Sequence, residues 1–297
     1  MNAFPTILVT GVNGQVGFEL LRSLQGLGRI IGLDRAALDL ANLDQIRAVV
    51  REAKPAIIVN PAAYTAVDKA ETDEAAARQL NAEAPRVFAE EAARCSAALI
   101  HYSTDYVFDG TKDAPYTEDD VTNPQNVYGK TKLEGEQWIA ASGCAHLILR
   151  TSWVYGRRGK NFLLTMLKLG AERPELRVVA DQIGAPTWSN TIAMATAHIV
   201  AQALAAQHAG DTHWWRERSG IYNLTANDST SWHGFASAIL DIAMGDKAPK
   251  VTPIPAAEYP VPTKRPANSR LAGDKLARVF ELRLPAWDEA LGLCLTD

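Results

Sequence analysis

The sequence predicts an α/β fold, a doubly wound parallel sheet carrying a smaller, discontinuous second lobe. Three observations lead there. Short β-branched runs alternate with alanine-rich helical runs through the first 150 residues. A glycine-rich turn, Gly11-Val-Asn-Gly14-Gln15-Val16-Gly17, separates the first such run from the helical run after it. Past Arg150 the alternation loosens into loops, short strands and a proline-rich stretch.

The elements follow in order. Residues 6–10 read as a strand and 15–27 as a helix. A strand is expected at 30–34, then a helix at 43–53 opening after Asn42, a good N-cap residue. Strands at 56–60, 97–102 and 146–150 alternate with helices at 73–95 and 126–141. Beyond them come a loop at 153–159, a helix at 161–170 and a short strand at 177–180. A helix at 189–207 returns to the sheet, and a strand is expected at 220–224. Residues 253–266 are proline-rich, and helices are expected at 274–280 and 287–293. On this reading 1–150 and 188–225 form a Rossmann-type dinucleotide-binding domain. Residues 151–187 and 226–297 form a substrate-binding lobe over the carboxyl edge of the sheet, where open α/β sheets take their ligands.

Composition narrows the function. With 297 residues, 47% of them hydrophobic and 22% charged, the chain can bury a substantial core. A formal charge of −4 gives no basic footprint for nucleic acid. Cys95, Cys144 and Cys294 are widely spaced, which fits a reducing compartment and no disulfide framework or zinc site. The six histidines show no metal-ligand spacing, so no metal is expected. The start, Met1-Asn-Ala-Phe-Pro5, lacks the basic region and cleavage site of a signal peptide. The apolar stretch 192–206 is interrupted by His198 and Gln202, as in a buried helix rather than a membrane span. A cytoplasmic protein is expected.

The glycine turn predicts what binds. Gly11 allows the tight turn, Gly14 lets the backbone approach a pyrophosphate, and Gly17 lets the helix pack on the strand. The spacing is G-x-x-G-x-x-G rather than the commoner G-x-G-x-x-G. Asp34 ends the second strand, where a carboxylate can take a ribose 2′-OH and favour NADH. Arg35 beside it can pair with a 2′-phosphate and favour NADPH, so both cofactors stay open.

Tyr128 and Lys132 lie one helical turn apart on one face. An ammonium near a phenol lowers its pKa toward working pH, as a proton donor requires. Ser103-Thr104-Asp105 follows a predicted strand and adds a hydroxyl. Together these three groups suit hydride transfer to or from a carbonyl, with the phenol moving the proton.

The chain resembles the extended short-chain dehydrogenase/reductases acting on nucleotide sugars, and among them the dTDP-4-dehydrorhamnose reductase family. The resemblance runs nearly end to end. It rests on Gly14-Gln-Val-Gly17, Tyr64-Thr-Ala-Val-Asp-Lys-Ala-Glu71, His101-Tyr-Ser-Thr-Asp-Tyr-Val-Phe-Asp-Gly110 and Asn126-Val-Tyr-Gly-Lys-Thr-Lys-Leu-Glu-Gly-Glu136. It continues in Arg150-Thr-Ser-Trp-Val-Tyr-Gly156, Asp181-Gln-Ile-Gly-Ala-Pro-Thr187 and Arg265-Pro-Ala-Asn-Ser-Arg-Leu271.

The resemblance implies reduction of the C4 ketone of dTDP-4-dehydro-6-deoxy-L-mannose to dTDP-L-rhamnose, for cell-surface polysaccharide. It implies Tyr128 as proton donor, Lys132 lowering its pKa and holding the ribose, and Thr104 bonding the reacting oxygen or tuning the phenol. Asp105 would contact the sugar and Trp153 pack against it. Asp39, Leu40, Ala63, Tyr64 and Thr65 would line the cofactor, with Tyr102 beside it. From their chemistry alone, Arg265 with Lys264 could grip the diphosphate, since guanidinium suits phosphate oxygens, or Arg265 could be a solvated arginine in a proline-rich loop. Residues 209–219, with His213-Trp-Trp215, read as an inserted surface loop whose tryptophans could mark a contact patch. The expected partner is a dTDP-linked 6-deoxy-4-keto sugar, with no nucleic acid and no membrane; a homodimer stays open. Two alternatives share these motifs: a regulatory subunit like that of methionine adenosyltransferase, and a nucleotide-sugar 4-epimerase.

Overall fold

A computed structural model describes residues 4–296 of the chain. Strands β1 (Thr6–Thr10), β2 (Arg29–Leu33), β3 (Ile57–Asn60), β4 (Ala98–Thr104) and β5 (Ala145–Thr151) alternate with helices. The helices are α1 (Gln15–Ser23), α2 (Leu43–Ala53), α3 (Val67–Ala70), α4 (Glu74–Arg78), α5 (Ala84–Cys95) and α6 (Val127–Ala141). After them come β6 (Val154–Tyr155), α7 (Phe162–Glu172), β7 (Glu175–Val179), β8 (Ile183–Gly184), β9 (Thr187–Trp188), α8 (Ser189–His208) and α9 (Trp214–Glu217). The rest is β10 (Gly220–Asn223), β11 (Thr230–Ser231), α10 (Trp232–Met244), β12 (Lys250–Ile254), α11 (Asp274–Phe280) and α12 (Trp287–Thr296).

Six strands form one parallel sheet in the order β10-β5-β4-β3-β1-β2. Strands β3 and β4 are buried along their whole length, as near-continuous apolar runs in a parallel sheet must be. Ile7, Val9, Ile100 and Tyr102 face one side, against Leu20 of α1 and Ile192 and Ile199 of α8. Leu8, Ile58 and Leu99 face the other, against Ile46 of α2 and Phe88 of α5. No helix among the described residues is long and apolar enough to cross a membrane.

Side-chain caps fix where the helices begin. Asn42 accepts the Gln45 N–H at the start of α2, as expected, and Asn126 accepts the Gly129 N–H at 2.8 Å to open α6. Helix α1 stops at Ser23 rather than 27, because the Gln25 and Leu27 N–H groups turn back to the Arg22 and Leu24 carbonyls. The helix expected at 73–95 carries a π turn over Gln79–Glu83. Pro85 has no N–H to bond the Asn81 carbonyl, so the i→i−4 ladder is interrupted there.

Elsewhere the non-local pairings revise the sequence reading. The loop expected at 153–159 contains β6, which pairs in parallel with β9. The proline-rich stretch opens as β12, paired along β7 from Lys250–Glu175 to Ile254–Val179. Residues 209–219 are not an aromatic-capped surface loop. Trp214 and Trp215 are buried in the core beneath α8, with Trp214 5.9 Å from the Phe280 ring. Aromatic burial there outweighs the polar composition around it. A separate apolar cluster joins Tyr155, Leu163, Met166, Leu176, Phe235, Leu291 and Cys294.

Candidate active site

The first βα turn shows why glycine is needed. Gly11 has φ +57°, and a Cβ there would lie 2.9 Å from that of Ala62. A Cβ on Gly17 would lie 2.2 Å from the Gly11 carbonyl oxygen, so α1 can approach β1 only with glycine at that position. The turn opens onto a crevice of about 580 Å³ at the carboxyl ends of the sheet strands.

Most of the residues singled out from the sequence border this crevice: Gly11, Gly14, Gln15, Val16, Gly17, Asp34, Arg35, Asp39, Leu40, Ala63, Thr65, Tyr102, Tyr128 and Lys132. Tyr64 does not. Its phenol donates to Asp73 and its backbone N–H to Asn81, which turns the side chain toward α4. Asp34 accepts the Ala36 and Ala37 N–H groups at 3.0 Å. The Ala37 N–H above all holds its pKa below the usual carboxylate value. Arg35 is exposed beside it.

At the other end of the crevice β4 delivers Ser103 and Thr104, and α6 delivers Tyr128 and Lys132. The Tyr128 ring stands edge-on to Tyr106 with centroids 5.5 Å apart. Burial pushes the Tyr128 phenol above its ordinary pKa, with the Thr104 hydroxyl pulling the other way. The Lys132 ammonium donates to the Tyr102 carbonyl at 2.6 Å and lies 3.1 Å from His101 Nε2. Burial brings Lys132 itself down to about 8, against the raising pull of Glu136.

Thr104 and Asp105 sit just past the crevice and are buried. The Thr104 hydroxyl donates to Asp105 Oδ1 at 3.0 Å, and Asp105 Oδ2 has no partner. Burial pushes Asp105 up to about 6, against the lowering pull of the Ser269 and Thr104 hydroxyls. Ionising this carboxyl therefore costs the folded state. The penalty is complete above pH 6 and absent below 3.8, the ordinary value for this carboxyl. We expect Asp105→Asn to be more stable than the parent at pH 7 by up to about 3 kcal/mol, with the advantage vanishing near pH 4. Denaturant midpoints at the two pH values check this; a gain independent of pH would mean the carboxyl is not held against ionisation.

Trp153 is not the open platform read from the sequence. Its φ is +48°, and Trp232 of α10 stacks on it at 3.5 Å and 9°. The Gly184 backbone also packs on the indole, where an added Cβ would lie 2.4 Å from Cε2. With both faces covered, the indole has only an edge to offer. Arg265 borders a second cavity of about 430 Å³ with Lys264 and Asn268, and donates to Asp68 at 2.7 Å. It lies 3.5 Å from the Tyr106 hydroxyl.

The sequence reading missed Thr151 and Trp232. Thr151 ends β5 at the crevice, and its hydroxyl, like that of Ser103, is buried without a partner. Its place at a strand carboxyl end was the available signal. Nothing local marks Trp232. Among the described residues no cluster of three or more His, Cys, Asp or Glu could hold a metal.

Comparison with known proteins agrees in one direction. The model of the RmlD substrate binding domain matches residues 5–297. The chain is 50% identical over 297 residues to a dTDP-4-dehydrorhamnose reductase of Burkholderia thailandensis, covering 98% of each. It is 43% identical over 301 residues to that of Salmonella typhimurium, covering 98% of this chain and 97% of the other. The crystal structure of dTDP-4-dehydrorhamnose reductase from Bacillus anthracis in complex with NADP superposes with a TM-score of 0.87. It is 34% identical and covers 99% of both chains.

Proposed function

This chain belongs to the dTDP-4-dehydrorhamnose reductase family, that of the RmlD substrate binding domain, and from that premise we propose that it reduces dTDP-4-dehydro-6-deoxy-L-mannose to dTDP-L-rhamnose. The observation that carries the reading is the meeting of Tyr128 and Lys132 with a glycine-floored crevice at the carboxyl end of the sheet. The product would serve rhamnose transfer to cell-surface polysaccharide.

The crevice fits NADPH or NADH. Gly17 lets α1 pack closely at this turn, and the helix N-terminus there would offer its backbone N–H groups to a diphosphate. Asp34 and Arg35 would hold the adenosine ribose, and Lys132 the nicotinamide ribose. The unpartnered Ser103 and Thr151 hydroxyls offer the polar contacts a carboxamide needs. When bound, the cofactor supplies the hydride for C4.

The remaining chemistry belongs to the chain. Tyr128 gives its proton to the C4 oxygen. Burial keeps the phenol protonated at working pH, as a proton donor must be, and the Thr104 hydroxyl pulls its pKa back toward that range. Thr104, whose hydroxyl donates to Asp105 in this structure, would turn that proton to the same oxygen, and Asp105 would anchor a sugar hydroxyl. The Trp153 edge borders the 6-methyl, and Arg265 with Lys264 meets the diphosphate. The sugar then lies between the sheet half (1–150, 188–225) and the lobe of 151–187 and 226–297.

The test is absorbance at the nicotinamide band with the keto-sugar added, together with product identification. Net oxidation of the cofactor, with reduction of the keto-sugar to dTDP-rhamnose, is expected with both NADPH and NADH. Because Asp34 and Arg35 oppose each other, the preference should stay below roughly 1000-fold, about 4 kcal/mol. Turnover without net oxidation would indicate an epimerase, and binding without turnover a regulator.

A further inference from the structure

His101 lies in the middle of β4, 1% exposed, with both ring nitrogens engaged. Nε2 is 3.1 Å from Lys132 Nζ and Nδ1 is 3.2 Å from the Asn60 amide nitrogen. Asn60 Oδ1 in turn accepts the Thr10 hydroxyl at 2.6 Å. A buried row of polar groups thus runs under the sheet edge from Lys132 back to Thr10, and neither His101 nor Asn60 has a part in the reduction described above.

We infer that His101, backed by Asn60, is a positioning residue for the reduction, holding Lys132 in line with Tyr128 and matching both of its proton states. This inference rests on the proton chemistry assigned to Tyr128 and Lys132. An ammonium has three donors. One goes to the Tyr102 carbonyl and one to His101 Nε2, which leaves a single donor for the crevice that Lys132 borders. Without Nε2 the head group has one tether and can swing.

The row is consistent in either proton state. With Lys132 charged, Nε2 accepts, so Nδ1 carries the proton and donates to the Asn60 amide oxygen. With Lys132 neutral, Nε2–H donates to the amine, and Nδ1 accepts from the Asn60 amide nitrogen. The second arrangement has nitrogen facing nitrogen, as in the structure. A half-turn of the Asn60 amide gives the first and brings its nitrogen to Thr10, whose hydroxyl oxygen then accepts instead of donating. Burial keeps the imidazole uncharged throughout, helped by the positive charge of Lys132.

The other charged groups around Lys132 are tied elsewhere. Glu136, one turn along α6, is doubly bonded to Arg150 of β5. Asp105 lies toward Thr104. Arg78 of α4 and Glu83 of the π turn pair with each other, and Arg78 also reaches Glu134 on the outer side of α6. On α3, Asp68 pairs with Arg265 and Lys69 with Asp73. Tyr106 packs on Tyr128.

The test reads Lys132 directly, by NMR of the intact protein labelled at the lysine ε-carbon, with the resonance assigned from Lys132→Met. In His101→Leu both forms lose a partner, but the charged form loses the stronger, charge-assisted bond, so the titration midpoint should fall by about one pH unit. Turnover should fall about tenfold or more through misalignment. His101→Gln, whose amide oxygen can accept, should restore the midpoint and most of the turnover. An unmoved midpoint in His101→Leu overturns the inference. So does a Gln variant that behaves as Leu. If the Leu variant does not fold, the parent alone decides: its His101 ring ¹⁵N signals should shift with the midpoint of Lys132 and stop shifting in Lys132→Met. A His101 signal indifferent to that titration overturns the proposal. Because the midpoint needs no substrate, coupling observed in a protein that lacks reductase activity would retire the functional reading and keep the His101–Lys132 link.

Discussion

Tyr128→Phe is expected to lower turnover by about 100-fold or more while leaving cofactor affinity nearly unchanged. The substitution removes one oxygen and keeps the ring, so the edge-on packing against Tyr106 survives. Neither Lys132 nor the glycine turn depends on that hydroxyl, since Lys132 is held by Tyr102 and His101. The loss should therefore fall on proton delivery, about 2.7 kcal/mol or more of transition-state stabilisation. Steady-state kinetics with the keto-sugar, beside fluorescence titration of the cofactor, separate the two quantities. Near-parental turnover would mean that another group supplies the proton, and Asp105, pushed up to about 6, would be the next to examine.

Glu136→Ala should have the largest effect on stability. Glu136 and Arg150 are each 2% exposed and joined by two hydrogen bonds of 2.9 and 2.6 Å, tying α6 to β5. Removing the carboxylate strands a guanidinium whose Nη1 already lacks a partner. Breaking such a buried pair costs about 3–5 kcal/mol, whereas replacing both partners with apolar residues of similar size can be neutral. Urea unfolding of Glu136→Ala and of Glu136→Leu combined with Arg150→Met should show that ordering. A single-variant loss under about 1 kcal/mol would mean that water reaches the Arg150 head group.

The features legible in the sequence were the ones written locally. The glycine turn, the β-branched runs of β1, β3 and β4 and the one-turn spacing of Tyr128 and Lys132 each depend on neighbours within a few residues. What stayed hidden depends on distant partners. Trp153 read as an open aromatic because Trp232 and Gly184, which cover it, come from segments far along the chain. Trp214 and Trp215 read as surface because Phe280 and Tyr222 lie beyond them in sequence. Lys132 was expected beside the phenol because the spacing allows it, while burial and the Tyr102 carbonyl decide where it rests. The π turn looked like plain helix, since only Pro85 hints at it.

The order in which the chain is synthesised bears on the cluster around Phe235. By residue 223 every strand of the main sheet has been made. Tyr155, Leu163 and Met166 have also emerged by then, but Phe235, Ile239, Leu291 and Cys294, which bury them, have not. A growing chain therefore holds the six sheet strands beside an apolar surface that stays uncovered until α12 leaves the ribosome, while the sheet itself still waits for Leu276 and Phe280 of α11. Closing contacts that span so much sequence is slow, and exposed apolar surface in that interval invites aggregation. Chaperone demand during translation should be concentrated on this cluster, the last to close.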